Sequence, residues 1–204
     1  MTTEKAPPEK GSEEARILKK KIVDAASQLF ERKGLYETSV AEVAEEAGIS
    51  TPVTYHYLTR KSDIMLLIME DFTDQFKGRV LPQIENMDDP LKKLEKAMEI
   101  FFSLVDENMV KVVLVYRESR TLDKEGRARI MTAELDHQQI FMDILQEGMD
   151  TGLFDVPDLD LAAYNIITAG HTWALKNWHF RKRFTWETFS KQQYQFILQA
   201  IKTK

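Results

Sequence analysis

The chain contains no cysteine, which excludes disulfides, thiolate zinc sites and a cysteine nucleophile. Glycine and proline are scarce, eight and six among 204 residues, and long helical periods dominate, so the chain reads as all-α. No apolar run approaches the roughly 20 residues that span a bilayer, so no membrane partner is expected. The first 15 residues are polar and carry charges of both signs. With no apolar segment among them, no signal peptide is visible and a cytoplasmic protein is expected. Enzyme signatures are missing too: there is no HExxH, no glycine-rich phosphate loop and no carboxylate–histidine metal pattern. His171 and His179 stand eight apart on one expected helix, too far to share a metal ion. Neither a catalytic residue, a metal nor a cofactor is expected. An excess of positive charge is also lacking. The formal net charge is −5, and residues 10–61 hold nine Lys and Arg against eight Asp and Glu. A nonspecific nucleoid protein would need a basic surface, so that class is disfavoured, and any DNA binding would have to rely on placed contacts.

What is present is organised around residues 38–61, TSVAEVAEEAGISTPVTYHYLTRK. Val40, Val43, Ala44 and Ala47 recur at i, i+3, i+4 and i+7, one face of a helix. Thr38 or Ser39 supplies an oxygen cap before it, and Gly48 follows where a left-handed turn is needed. Ile49 then points back to the core. Ser50 can cap a second helix with Pro52 in its first turn. That helix, with Thr51, Val53, Thr54, Tyr55, His56 and Tyr57, is too short and too rich in β-branched and aromatic residues to form alone. A helix-turn-helix that presses this second helix into the DNA major groove explains both its rigid support and its exposed hydroxyls and rings.

The segment 22–68 resembles the N-terminal DNA-binding domain of the TetR/AcrR family of one-component bacterial repressors. The matching residues are IVDAASQLFERKG, Tyr36, Thr38-Ser39-Val40, Val43-Ala44, Ala47-Gly48-Ile49-Ser50, Tyr55-His56-Tyr57 and Lys61. They cover about a quarter of the chain. The sequence departs from the family pattern at Arg60, which leaves Thr59 as the expected cap of the next helix. It departs again at Thr51-Pro52-Val53, which replaces a more usual basic-plus-glycine run.

Roles within the reading unit follow from chemistry. Tyr55 can donate its hydroxyl to a phosphate oxygen. Thr38 or Ser39, at a helix start, adds a hydroxyl and free backbone amides, and Lys61 adds a charge. Ser50, Thr51, Pro52 and Val53 lead the second helix, where Val53 and the threonine methyls suit a thymine methyl. His56 is either a DNA contact or an exposed polar residue, and Tyr57 either a DNA contact or part of the core.

Residues 1–12 read as a disordered tail, in which Lys5 and Lys10 could touch DNA. Residues 13–60 form the DNA-binding domain. A first helix over 13–33 has the stripe Leu18, Ile22, Ala25, Ala26, Leu29 and Phe30, and Leu35 and Tyr36 pack its corner. Residues 61–204 form a helical ligand-binding and dimerisation domain, about nine helices being expected in all. A long helix over 61–85, broken at Pro82, joins the two and is a natural lever. Asp89 caps and Pro90 opens the next helix, with Leu91, Leu94, Phe101, Phe102 and Val105 inward. Residues 109–119 read as a strand by propensity and as a buried helix in this context. Tyr116 and Arg120, near an Arg117–Glu118 pair, either line a pocket or are structural. The helix over 123–150 carries His137 and Phe141 on its apolar stripe, where His137 is a core residue or a ligand contact.

Residues 158–181 form one further helix after an Asp158 cap, and 185–202 the last. The row of Ala163, Ile167, Gly170 and Ala174, with Phe196, Ile197 and Ala200, reads as a four-helix homodimer interface or as ordinary core. The family's own pairing favours the dimer. Lys176, Arg181, Lys182 and Arg183, interleaved with Trp178, His179 and Phe180, could hold a phosphorylated ligand or form a solvated helix end. Together with Trp173, this region is similar to bodies that sense fatty or aromatic acyl-CoA. The resemblance thus implies a homodimeric repressor of a palindromic double-stranded operator, released by a hydrophobic effector such as an acyl-CoA. Phe102, Tyr116, Arg120, His137, Phe141, Trp173, Lys176 and Trp178 are its candidate contacts. The alternative is a repressor of drug efflux or another pathway that senses a small hydrophobic or aromatic compound.

Overall fold

The computed structural model describes residues 12–34, 36–58 and 60–203, and residues 1–11 of the expected tail lie outside them. Among the described residues there are ten α-helices and no named strand. They fall into two compact units. One comprises residues through Asp71 together with Leu114–Ile130, and the other Phe72–Val113 with Met131–Lys204.

In the first unit, α1 spans Glu13–Lys33, with Ser12 Oγ accepting from Ala15 N at its start. Ile22, Val23, Ala26 and Phe30 of α1 are buried with Val43 and Ala44 of α2 (Val40–Ala47). Gly34 ends α1 at φ 86°, a region that favours glycine. The corner that follows differs from expectation. Tyr36 is 71% exposed, and it is Thr38 that is buried, its hydroxyl donating to Gly34 O at 2.9 Å. Leu35 lies outside the described residues. Gly48 closes α2 in the left-handed conformation at φ 64°, and Ile49 N donates to Ala44 O. The second short helix, α3 (Thr51–Tyr57), is anchored through buried Thr54 and Leu58. Helix α4 (Lys61–Ile84) then begins, and Lys19 of α1 meets Glu70 of α4 at 3.0 Å. Its start is tied by Arg60–Asp123 at 3.1 Å and Asp63–Arg129 at 3.4 Å to residues 123–129, where a later helix begins. The expected cap Thr59 lies outside the described residues. Pro82 does not break α4, which runs on to Ile84. Pro82 is exposed, and the residue four before it is the exposed Gly78, so the lost hydrogen bond faces water close to the helix end.

The second unit is built on α5 (Pro90–Glu107), which packs against α8 (Leu159–Leu175) and α10 (Trp186–Ile201). Asp89 caps α5 and Asp158 caps α8, each accepting a backbone N–H. Phe76, Phe101, Phe102, Phe141 and Trp173 are all buried in one cluster. Residues 109–118 do form a helix, α6 (Met109–Glu118), but only one side is buried. Val112 and Leu114 are inside, whereas Val110, Val113 and Tyr116 are exposed. Helix α7 spans Lys124–Asp150. The expected helix over 158–181 is two: α8 stops at Lys176 and a short α9 covers Asn177–Phe180.

Candidate functional site

The helix-turn-helix presents a polar edge. The α2 cap is Ser39, not Thr38. Ser39 Oγ accepts from Glu42 N at 3.2 Å, and the Glu42 carboxylate returns to Ser39 N at 2.8 Å and Ser39 Oγ at 2.9 Å. Lys33 Nζ reaches the other Glu42 oxygen at 2.5 Å. The lysine and these hydrogen bonds hold the Glu42 carboxyl down to about 2. Ser50 sits at the α3 cap position, but its side chain makes no capping hydrogen bond among the described residues. Its carbonyl instead accepts from Thr54 N at 3.0 Å and Thr54 Oγ1 at 3.2 Å. Thr51, Pro52, Tyr55 and His56 are exposed, and Val53 is half-buried. Tyr57 faces inward: its hydroxyl is buried with no hydrogen-bond partner among the described residues, and burial raises its pKa. Thr38 and Tyr57, both candidates for DNA contact, are therefore taken up by the fold. Lys61 is the first residue of α4, and its side chain lies outside the described ones.

The candidate effector residues divide into three groups. Phe102, His137, Phe141 and Trp173 are buried in the second unit. Lys176 and Trp178 are exposed at the α8–α9 junction. Tyr116 and Arg120 are exposed and belong to the other unit. Beside them, Arg117 Nε donates to buried Glu118 at 2.6 Å, the structural pair that the sequence allowed. The Trp173 indole is committed to Asp106 at 2.7 Å, and Arg181 approaches the same carboxylate at 3.7 Å. Trp173 packs on Phe189, with centroids 5.2 Å apart, and Phe189 also meets Phe102 at 5.9 Å.

His137 lies elsewhere in the core, with residues the sequence reading did not single out for function. Its Nδ1 is 3.5 Å from Thr73 Oγ1, and its Nε2 has no partner among the described residues. Phe101 lies between His137 and His171, at centroid distances of 6.0 and 5.6 Å. Burial pushes the imidazoles down to about 4 at His137 and about 3 at His171. Thr73 and His171 stand on apolar stripes of their helices, which was the available signal.

The expected dimer row is turned inward. Ala163, Ile167, Gly170 and Ala174 are buried in the chain's own core, and a Cβ on Gly170 would lie 2.6 Å from the Phe101 ring. Small residues here let α8 approach α5. The opposite side of α8 is open. Leu161 is 59% and Phe196 of α10 is 70% exposed, and Ala200 is also exposed. Asn165, Thr168, Thr172, Gln193, Phe196 and Ala200 border a groove of about 430 Å³ between the two helices, with Ile197 at its floor, only 8% exposed.

No helix among the described residues is long and apolar enough to cross a membrane. The chain matches the family described as bacterial regulatory proteins, tetR family, over residues 22–68. It matches the tetracyclin repressor-like, C-terminal domain over residues 87–179. The HTH-type transcriptional regulator HbdR of Aromatoleum sp. (strain CIB) is 30% identical over 164 residues, covering 80% of this chain and 72% of that protein. The HTH-type transcriptional repressor KstR2 of Mycolicibacterium smegmatis is 28% identical over 159 residues, covering 78% and 77%. In fold, the chain is similar to the transcriptional regulator FadR of Bacillus subtilis in complex with stearoyl-CoA. The TM-score is 0.73 at 22% identity, with 88% of this chain and 97% of that one covered.

Proposed function

Because the chain belongs to the TetR family of bacterial transcriptional regulators, we propose that it is a homodimeric repressor, released from a palindromic operator by a hydrophobic acyl-CoA. The observation that carries the DNA role is the short, propped α3 with Thr51, Pro52, Tyr55 and His56 facing outward. Thr51, Pro52 and Val53 read base edges, while Tyr55, the Ser39 hydroxyl and Lys61 hold phosphates. Two copies put their α3 helices into successive major grooves, with half-sites roughly 34–36 Å apart.

Pairing uses the open side of α8 and α10, around Leu161, Phe196 and Ala200, since an isologous contact needs one exposed apolar patch on each copy. The effector reading draws on the aromatic core of the second unit and on the exposed cations at 176–183. It draws also on the likeness to a regulator that carries stearoyl-CoA. An effector with unequal affinity for two body shapes shifts their populations and so weakens operator binding. Such a regulator works in the cytoplasm, where its DNA is.

The test selects bound duplexes from a random pool and then titrates them with palmitoyl-CoA. An inverted repeat that is released on titration is expected. Smeared selection with no shared site would refute the operator reading, and an unaffected complex would refute this effector. Sedimentation of the Phe196→Glu protein checks the pairing: a monomer is expected, and an unchanged dimer would place the interface elsewhere.

A further inference from the structure

The proposed effector role of the second unit leaves open what chemical group the effector must carry, and the core of that unit bears on it. Thr73 of α4, Phe101 of α5, His137 of α7 and His171 of α8 converge there. Their surroundings are phenylalanine: Phe72 lies 5.9 Å from the His137 ring, and Phe76 and Phe141 pack on Phe101. His137 is wholly buried, yet its Nε2 meets no hydrogen-bond partner among the described residues. A buried ring nitrogen left in this state is costly, and a leucine would fill the same space without the cost. A polar group of this kind has a use when an arriving molecule completes its bonding.

We infer that His137 Nε2 is the donor to an uncharged carbonyl oxygen of the effector, the thioester carbonyl of an acyl-CoA, and that Thr73 positions the ring for it. The inference rests on the effector reading above. A carbonyl can only accept, so the proton must sit on Nε2. Nδ1 is then an acceptor, and the Thr73 hydroxyl 3.5 Å away can rotate to donate to it. The Phe101 ring touches both imidazoles and rests on Gly170, so it turns aside as the oxygen arrives. Because burial keeps both imidazoles neutral, they offer no positive charge to a carboxylate. A free fatty acid would bring an ion into this core without a counter-ion, which is strongly unfavourable. The site therefore separates a thioester from the free acid and from a thioether of equal length.

Calorimetric titration of the full chain tests this with palmitoyl-CoA, S-hexadecyl-CoA, in which the carbonyl is a methylene, and the matching octyl pair. Each thioester that binds is expected to do so about tenfold or more tightly than its thioether. His137→Leu brings the ratio to about one, as expected when one hydrogen bond is lost. Thr73→Val lowers the ratio without abolishing it, and thermal melts confirm that both variants fold. Equal binding of thioester and thioether by the natural protein overturns the inference and leaves the effector reading intact. A ratio that survives His137→Leu overturns it as well. Binding of no member of either pair removes the effector reading, and the inference with it.

Discussion

Replacing His137 by leucine should make the protein more stable, and increasingly so as the pH falls. At neutral pH the gain comes from removing a buried nitrogen with no partner among the described residues, worth about 1–3 kcal/mol. Leucine is close to histidine in volume, so misfit offsets less than about 1.5 kcal/mol. The net is about 1 kcal/mol. Acid enlarges it. The His137 imidazole titrates at 6.5 when unfolded and at about 4 when folded. Between those values the unfolded chain binds the proton and the folded chain does not. The His137 contribution to the stability of the natural protein is therefore complete above about 6.5 and is lost as the pH drops toward 4, at up to about 1.4 kcal/mol per unit. The leucine variant has no proton to bind at this position. By pH 5 the gap between the two proteins should widen by about 2 kcal/mol, to about 3 kcal/mol in all. Glu134 works in the opposite sense, since burial raises its pKa and its contribution fades as pH rises. It is present in both proteins and cancels, as His171 does to first order. Urea unfolding of both proteins at pH 7.5, 6.0 and 5.0 measures the gap directly. A gap that stays flat across that range, or a variant less stable at pH 7.5, would refute the reasoning.

Further outcomes are expected in the helix-turn-helix. Gly48→Ala should lower the melting temperature by about 2–8 °C, because the left-handed turn costs a side chain about 1–2 kcal/mol there; apart from its chain neighbours no described atom lies within 4 Å of the added Cβ, so Gly48→Asn should recover part of the loss. Tyr55→Phe should weaken binding to all duplexes alike, and Lys61→Ala should reduce the salt slope by about one, both read by fluorescence anisotropy. Thr51→Ala should instead change which base is preferred in a selection; an unaltered preference would remove Thr51 from the base-reading set.

Local signals carried much of this fold. Gly34, Gly48, Asp89-Pro90 and Asp158 each mark a helix boundary by chemistry confined to a few residues, and the helices begin or end there. The break at Lys176 was invisible, since neither glycine nor proline marks it. The same limit applied to Ala163, Ile167, Gly170 and Ala174. A row of small residues looks alike whether it meets a second copy or its own chain. What decides the matter is Phe101, distant in sequence, whose ring fills the place of the Gly170 Cβ. Thr38 and Ser39 were interchangeable as caps until the turn at Gly34 gave Thr38 a carbonyl to bond. Thr73, His137 and His171 were each readable as a polar residue on an apolar stripe. That Thr73 meets His137, and that His137 and His171 flank one phenylalanine, is a property of helix packing that no single stripe contains.

The arrangement around Glu42 bears on how tightly the head can hold DNA. Its carboxylate already occupies the donors that Ser39 would offer to a backbone phosphate, and Lys33 neutralises it there. On the proposed phosphate contact, a phosphate arriving at Ser39 would have to evict a resident anion, so the contact would be a swap and its affinity a difference between two similar attractions. Lys33, freed by the swap, becomes available to the newcomer, and the grip on DNA then depends on a lysine that the unbound protein keeps occupied.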